Sequence, residues 1–409
     1  MEKFGLIGQP LGHSFSPEIH SHLGDYEYKL YPLLQTELKD FMHNNPLSGF
    51  NVTIPYKTDV ISFCNELSEK AAEIQSVNTI IKRADGSYFG DNTDYYGFLD
   101  LLGDNAKKIK GKKTLILGSG GTEKTVRTAL LDMGASPVIT ISRSGKDNYD
   151  NISNHHDAFA IINTTPVGMY PENGKSAITL EHFTKCKLVI DMIYNPAKTK
   201  LLLDAEKLRI PYSSGLYMLV SQAKRASEIF QNKSIPHEKV LEITSTISRK
   251  TKNIVLIGMP GSGKTSIGKA LAKISNRPFL DTDDIIANEK NIDASHILST
   301  KGESFFRKIE TEVLQEVTKL SGAIISVGGG VVTVPCNHAL LHQNSTVVLI
   351  ERDLGKLSIK NRPISQEKGI KELYRERKML YKSFSDYTFH NHNINKTAKM
   401  INSKLLTHN

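Results

Sequence analysis

A chain of 409 residues is too long for one ordinary core and predicts two or three domains. With 39% hydrophobic and 23% charged residues and no low-complexity tract, it has the composition of a soluble globular protein. Its three cysteines, Cys64, Cys186 and Cys336, form no CxxC pair, which argues against a zinc site or a disulfide framework. The net charge of +9 comes mostly from scattered lysines, densest at Lys107–Lys113 in an expected connector. That pattern reads as a solvated surface whose field favours anionic small molecules, with neither a helix-turn-helix nor a basic stripe for DNA. No apolar run approaches the roughly 18 residues of a membrane span.

The chain opens on Met1-Glu2-Lys3-Phe4-Gly5-Leu6-Ile7-Gly8, which enters a strand at once and lacks the blocks of a signal peptide. A cytoplasmic protein is expected. Strands are predicted at Lys3–Ile7, Tyr26–Tyr31 and Gly49–Ile54, giving residues 1–100 an α/β lobe of their own. Polar clusters follow these strands: Gly8–Pro17, the run Gly49–Tyr56 ending in Lys57, Ser76–Thr79 and Gly90–Asp94. Hydroxyls, amides and one proton donor at strand ends suit a polyhydroxylated, anionic substrate, although each Ser or Thr alone is more often a cap or a turn.

From Thr114 the pattern is a strand to Leu117, the turn Gly118-Ser119-Gly120-Gly121, a helix to about Met133 and a strand at Val138–Ile141. Apolar runs follow at Ala158–Ile162 and Leu188–Met192. This is the plan of a doubly wound dinucleotide-binding unit. The second strand ends in Ser142-Arg143-Ser144, where a cation in place of a carboxylate favours the 2′-phosphate of NADP. The stretch Ile235–Asn253 has a helical middle and a polar, basic end, Ser245–Asn253, and the main domain boundary is placed near residue 250.

Beyond it, the apolar strand Ile254–Ile257 leads into Gly258-Met259-Pro260-Gly261-Ser262-Gly263-Lys264-Thr265, and an amphipathic helix, Ser266–Ile274, follows. This GxxxxGK[ST] loop in its strand–helix setting is the strongest single motif in the chain. Its glycines let backbone N–H groups converge on phosphate, Lys264 neutralises the β- and γ-phosphates, and the Thr265 hydroxyl ligates magnesium. At the end of the next strand, Leu280-Asp281-Thr282-Asp283 offers two carboxylates. One can hold magnesium through water while the other takes a proton from an alcohol. Arg307, Gly328-Gly329-Gly330, Arg362 and Arg377 add cations and a second glycine turn around the moving phosphoryl group.

GMPGSGKTSIGKALA, LDTDD, SFFRKIE, VGGGVV, NRPI and ERKMLY, in that order, resemble shikimate kinase over essentially all of 251–409. The resemblance implies a P-loop fold with ATP held by Gly261, Ser262, Gly263, Lys264, Thr265 and Ser266. It also implies magnesium at Thr265 and, through water, at Asp281. Asp283, Arg307 and Gly329 would bind shikimate, with Arg377 on its carboxylate. Asp283 would be the base toward the 3-hydroxyl, and Arg362 would belong to a lid over ATP.

In the first half, GLIGQPLGHSFSPEIH, GFNVTIPYK, SVNT, GDNTD, GSGG, SRS, NTTPVGM, DMIYNP and GLYMLVSQA resemble shikimate dehydrogenase through nearly all of 1–250. The resemblance implies a substrate lobe of 1–96 plus 217–248 around a Rossmann domain of 97–216. Ser14, Ser16, Thr53, Asn78, Asp94, Tyr194 and Gln222 would hold the substrate, and Lys57 would be the catalytic acid/base with Asp94 beside it. NADP(H) would touch Gly118, Ser119, Gly120, Gly121, Ser142, Arg143, Ser144, Met192 and Gly215. Three positions depart from the family pattern. Glu123 stands where a small residue is usual and would set a carboxylate near the pyrophosphate. Tyr95 replaces a glycine after Asn92-Thr93-Asp94, and Ser21 replaces an asparagine after His20.

The expectation is therefore an α/β enzyme of two activities, an NADPH-dependent reduction of 3-dehydroshikimate followed by ATP-Mg phosphorylation of shikimate, with small-molecule partners only. Two alternatives stand beside it. One is a quinate-preferring dehydrogenase or a gluconate-type kinase half. The other is a metabolite-sensing module, which would be expected to have lost Lys57, Asp94, Lys264 or Asp283; all four are present.

Overall fold

The alternating apolar runs form three sheets in a computed structural model that describes residues 2–12, 14–290, 294–357 and 369–407. The first sheet comprises β1 (Lys3–Gly8), β2 (Glu27–Pro32), β3 (Gly49–Val52), β4 (Glu66–Leu67), β5 (Thr79–Lys82) and β6 (Tyr88–Asp91), in the order β2-β1-β3-β5-β6-β4. β1 runs parallel to β2 and β3, whereas β5 is antiparallel to β3 and β6. Every residue of β3 is buried, as in a strand covered on both faces. The expected strand Gly49–Ile54 stops at Val52, and Ile54 is 69% exposed. The chain turns there, with the Tyr56 amide bonded to the Thr53 carbonyl (3.0 Å), and so sets Lys57 beyond the carboxyl end of β3.

The second sheet is wholly parallel: β7 (Thr114–Leu117), β8 (Val138–Ile141), β9 (Ala160–Asn163), β10 (Leu188–Asp191) and β11 (Tyr212–Ser214), ordered β11-β10-β9-β7-β8. β7 lies between β9 and β8, so the chain reverses its winding there. In such sheets ligands bind in the crevice outside the carboxyl ends at this switch point. The third sheet is also parallel: β12 (Asn253–Ile257), β13 (Phe279–Asp281), β14 (Ile324–Ser326), β15 (Ser345–Glu351) and β16 (Tyr387–His390), ordered β13-β14-β12-β15-β16. Its switch point falls at the end of β12, where the GxxxxGK[ST] loop begins.

By contacts the chain divides into two units. One is Met1–Val167, Ala177–Tyr194 and Asp204–Ser245; the other is Gly168–Ser176, Asn195–Leu203 and Thr246–Asn409. Within the first, helix Leu216–Gln231 returns to the first sheet, where Phe230 stacks on Phe4 with ring centroids 4.4 Å apart. It also packs on helix Thr93–Leu102, and Gly97 makes the approach possible. A Cβ there would lie 2.9 Å from Gln222 Cβ and 3.0 Å from the Met218 carbonyl. Within the second unit, Tyr170 OH donates to the Thr318 carbonyl (3.0 Å) and Asn173 Nδ2 to Gln343 Oε1 (2.6 Å).

The polar end Ser245–Asn253 is helical for most of its length, because helix Glu238–Thr251 continues through it. Val240, Ile243 and Ile247 keep a buried stripe at helical spacing, and Arg249 and Lys250 suit the negative end of the helix dipole. Cys64, Cys186 and Cys336 are free thiols. Among the described residues no helix is long and apolar enough to cross a membrane.

Candidate active sites

Beyond the carboxyl ends of β3 and β6, Lys57 Nζ donates to Asp94 Oδ2 at 2.5 Å, and both side chains are largely but not fully buried (22% and 15% exposed). Asp94 lies in the first turn of helix Thr93–Leu102, whose N-cap Asn92 accepts from the Tyr95 amide (3.2 Å). The helix N-terminus favours a carboxylate at that place. A short network stands nearby. Asn78 Oδ1 accepts from the Thr93 amide (2.7 Å) and hydroxyl (3.1 Å). Gln222 Oε1 accepts from the Thr93 hydroxyl (3.3 Å) and from Asn78 Nδ2 (3.5 Å).

Ser14 and Ser16 are joined by a hydroxyl–hydroxyl bond of 3.0 Å, and the Phe15 ring packs on Tyr194 at 5.8 Å. Burial raises the Tyr194 phenol above its ordinary value. Thr53 is held by its amide on the Ile7 carbonyl (2.9 Å). Thr93, which ties Asn78 to Gln222, is a site residue that the motifs alone do not single out; its place inside GDNTD is the available signal.

The turn Gly118–Gly121 leaves β7 at the switch point of the second sheet and opens helix Gly121–Asp132. Gly118 has φ +102°, and a Cβ there would press on Thr165 (2.7 Å). At Gly120 and Gly121 a Cβ would meet no atom within 4 Å, so there is open space beside the backbone at this helix N-terminus. That is a cradle for a pyrophosphate, and Ser119 is exposed beside it. Ser142, Arg143 and Ser144 follow β8, with Arg143 and Ser144 exposed and the turn closed by the Ser142 amide on the Asp147 carbonyl (3.2 Å). Gly215 must be glycine, because a Cβ would collide with the Met192 carbonyl, and this close approach places Met192 and Gly215 side by side. The residues present thus fit a dinucleotide with a 2′-phosphate.

Glu123 does not face that cradle. Its side chain turns toward β8, where Oε1 accepts from Arg127 Nε (2.7 Å) and from the Thr140 hydroxyl (2.5 Å). The carboxylate is neutralised by a cation one turn along, so it does not oppose a pyrophosphate as the sequence suggests. Glu123→Ala is expected to cost about 1 kcal/mol of stability and to leave the KM for NADP unchanged. Thermal melting and a cofactor titration check both. Tyr95 also points away from the substrate residues: its hydroxyl donates to Asp132 Oδ2 (2.7 Å), which pairs with Lys70 (2.6 Å). Ser21 caps its own helix turn through the Glu18 carbonyl (2.7 Å).

In the second unit β12 ends at the phosphate loop. Gly258, Gly261 and Gly263 have φ of +142°, +83° and +100°. Such values are readily reached only by glycine, and glycine turns of this kind can gather backbone N–H groups around an anion. Lys264 Nζ donates to the carbonyls of Gly258 (3.0 Å) and Met259 (3.3 Å). Ser262 is fully buried with its hydroxyl lacking a hydrogen-bond partner among the described residues, and Ser266 is exposed in the first turn of helix Lys264–Ser275. Thr265 Oγ1 donates to Asp281 Oδ2 (2.7 Å), so two hard oxygens converge beside the loop. That donor pair fits magnesium, whose remaining ligands would come from phosphate and water.

Asp281 also accepts from the Asp283 amide (3.1 Å). Burial, reinforced by Asp281, raises the Asp283 carboxyl against the pull of Lys264 and Arg307. Arg307 is clamped by Glu310 and Glu303, at 2.8 Å each. Arg377 NH1 donates to the Gly329 carbonyl (3.2 Å), which also accepts from Tyr381 OH (2.5 Å).

Glu310 is a second site residue that the motifs alone do not single out. It is fully buried, and burial raises its carboxyl despite Arg307. Its Oε1 has no hydrogen-bond partner among the described residues. The i, i+3 spacing from Arg307 within SFFRKIE is the available signal. Each glycine of the triplet is hemmed by a different neighbour: Glu310 at Gly328, Pro260 at Gly329 (2.8 Å from a Cβ) and the Arg307 guanidinium at Gly330. Arg362 lies outside the described residues.

A lysine–carboxylate pair beside a dinucleotide cradle, and a phosphate loop beside a buried carboxylate and two arginines, define an α/β oxidoreductase joined to a P-loop phosphotransferase. Residues 6–80 match the family model for the shikimate dehydrogenase substrate binding domain and residues 260–407 that for shikimate kinase. Shikimate dehydrogenase (NADP(+)) of Clostridium perfringens (strain SM101 / Type A) is 38% identical over 252 residues, covering 56% of this chain and 92% of the relative. The chain belongs to the shikimate dehydrogenase family and carries a shikimate kinase domain after it. The counterpart from Caldicellulosiruptor bescii is 38% identical over 262 residues, covering 56% of this chain and 89% of its own. Among solved structures, a chorismate mutase/shikimate 5-dehydrogenase fusion protein from Clostridium acetobutylicum is 35% identical with a TM-score of 0.58. The match covers 61% of this chain and 98% of that one.

Proposed function

We propose that the chain reduces 3-dehydroshikimate to shikimate with NADPH and then transfers the γ-phosphoryl group of ATP to the shikimate 3-hydroxyl. The observation that supports this is two polar clusters on one chain, Lys57 paired with Asp94, and Asp281 joined to both Thr265 and the Asp283 amide. We assign residues 1–96 and 217–248 to the dehydrogenase substrate lobe, 97–216 to the NADP domain and 251–409 to the kinase. Three free thiols suit a reducing cytoplasm.

Bound NADPH supplies the hydride to the C3 carbonyl. As charge grows on that oxygen, Lys57 donates its proton, and Asp94 holds the ammonium in place and accepts from a substrate hydroxyl. Asn78 and Gln222, fixed through Thr93, complete the contacts with the ring hydroxyls, together with Ser14, Ser16, Thr53 and Tyr194. Arg143, flanked by Ser142 and Ser144, would hold the cofactor's 2′-phosphate.

In the kinase half Lys264 leaves its loop carbonyls for phosphate oxygens. Magnesium at Thr265 and Asp281 would offset charge on the β- and γ-phosphates. Asp283 takes the proton of the 3-hydroxyl; a carboxyl raised by burial is a stronger base than an exposed aspartate. Arg307 and Arg377 bind the substrate's anionic end, and the clamp of Glu303 and Glu310 fixes the Arg307 fork.

The test supplies 3-dehydroshikimate, NADPH and ATP-Mg, and follows NADPH loss and shikimate 3-phosphate together. Both signals are expected, and Lys264→Ala should remove only the second, with shikimate accumulating. Ligand binding with no turnover would instead support a sensing module. Faster turnover of quinate than shikimate, or of gluconate by the kinase half, would overturn the substrate assignment.

A further inference from the structure

A closed circuit of buried polar side chains runs through the substrate lobe, and the chemistry above makes no use of its centre. That centre is His20, on the short helix Ser16–Ser21, with 1% of its surface exposed. Its ring stacks on Tyr28 with centroids 3.8 Å apart and planes 8° from parallel. Nδ1 lies 2.7 Å from the Tyr26 hydroxyl, and the stacked Tyr28 carries the ring's position on to Asn51 through its own hydroxyl.

Two arms lead outward. Along one, the Tyr26 hydroxyl bonds Ser227 Oγ (2.8 Å), which also accepts from Gln231 Nε2 (2.8 Å). Along the other, Asn51 Nδ2 donates to the Thr79 hydroxyl (2.9 Å) and the Asn78 carbonyl (3.2 Å). Tyr28 OH donates to Asn51 Oδ1 (2.8 Å) and thereby fixes the orientation of that amide. The Thr79 hydroxyl lies 3.0 Å from that of Thr93, which donates to Gln222 Oε1 (3.3 Å). The circuit therefore leaves helix Leu216–Gln231 at Ser227 and returns to it at Gln222.

Burial lowers the His20 ring to about 3, against the weaker pull of Asn51, so it is neutral at physiological pH. A neutral imidazole offers one donor and one acceptor. With Tyr26 as hydrogen-bond partner and Tyr28 stacked on its face, the ring is fixed and stays neutral. Polar groups this deep are costly unless every member is satisfied, and such networks act as units. An apolar ring would fill the same space more cheaply.

We propose that His20 is a positioning residue for the dehydrogenase substrate: through the stacked Tyr28 and then Asn51, Thr79 and Thr93 it fixes Asn78 and Gln222, and through Tyr26 and Ser227 it fixes the helix that carries Gln222. The inference rests on the assignment of Asn78 and Gln222 to the substrate made above.

His20→Phe in the full chain keeps a ring able to stack on Tyr28 and removes both nitrogens. With shikimate and NADP+ as the varied reactants, the KM for shikimate is expected to rise roughly five- to tenfold, the loss of about one hydrogen bond's net contribution. The KM for NADP+ should stay unchanged, and His20→Gln, which again offers a donor and an acceptor, should recover most of the effect. An unchanged shikimate KM, or an equal rise in both KM values, would overturn the proposal. Should His20→Phe fail to fold, Tyr26→Phe decides in its place, since it removes a single hydroxyl from the circuit; an unchanged shikimate KM there overturns it too. Gln222→Ala separates the two levels. If it raises the shikimate KM while His20→Phe does not, the relay is wrong; if it leaves that KM unchanged, the substrate assignment beneath the relay falls.

Discussion

Replacing Lys57 by alanine is expected to lower the dehydrogenase kcat by about 10²–10⁴-fold, the range for losing a positioned proton donor, while the kinase rate of the same sample stays unchanged. In the free protein the lysine is engaged with Asp94 at 2.5 Å, so its ammonium is already held in place before substrate arrives. Without it, the oxygen that gains charge must take a proton from water. Asp94 would also lose the cation that balances it at 15% exposure, so some rise in substrate KM should accompany the fall in kcat. NADPH oxidation with 3-dehydroshikimate and phosphorylation of added shikimate, measured on one preparation, check the claim. Loss of both rates would mean that the two sites do not work separately.

Asp283→Asn is expected to lower the kinase kcat by a similar factor, about 10²–10⁴-fold, and to spare the reduction step. The pH profile gives a second readout. Asp283 works as a base only when ionised, and burial raises its carboxyl above the ordinary aspartate value. The wild-type kinase rate should therefore fall as pH drops through that raised value, at a higher pH than an exposed aspartate would impose. In Asp283→Asn the residual rate should lack this limb. A variant that keeps the same acid limb would assign the base to another group, and Glu310, the other raised carboxyl nearby, would be the one to test.

The parts legible in the sequence are those in which backbone geometry demands particular residues in a row. The strand–glycine–helix units at Gly118 and Gly258 are of this kind, and so is the Thr265–Asp281 pair, since a β-strand must place Asp281 at the loop. Pairings across the fold are less legible. Nothing local tells that Lys57 reaches a carboxylate 37 residues away, and the family resemblance alone supplies that pair. Glu123 escapes a local reading for a related reason. Its position in the first helical turn is plain, but its direction depends on Arg127 and Thr140, which only the packed sheet supplies. The polar, basic end after Ser245 is less plain in the sequence than the helical middle before it, yet Ile247, buried on the other face, belongs to the helix that continues through it to Thr251.

The triplet Gly328-Gly329-Gly330 carries no functional group, yet three different parts of the kinase site each forbid a side chain at one of its positions. A search for reactive side chains would pass over it. Its content is negative: it records, in three empty places, where a carboxylate, a proline ring and a guanidinium must come. A drifting sequence therefore cannot test these positions one at a time at low cost, because each substitution disturbs a different component. In a library randomised across the three codons, survivors would map the site by what they exclude, as a mould records the object it held.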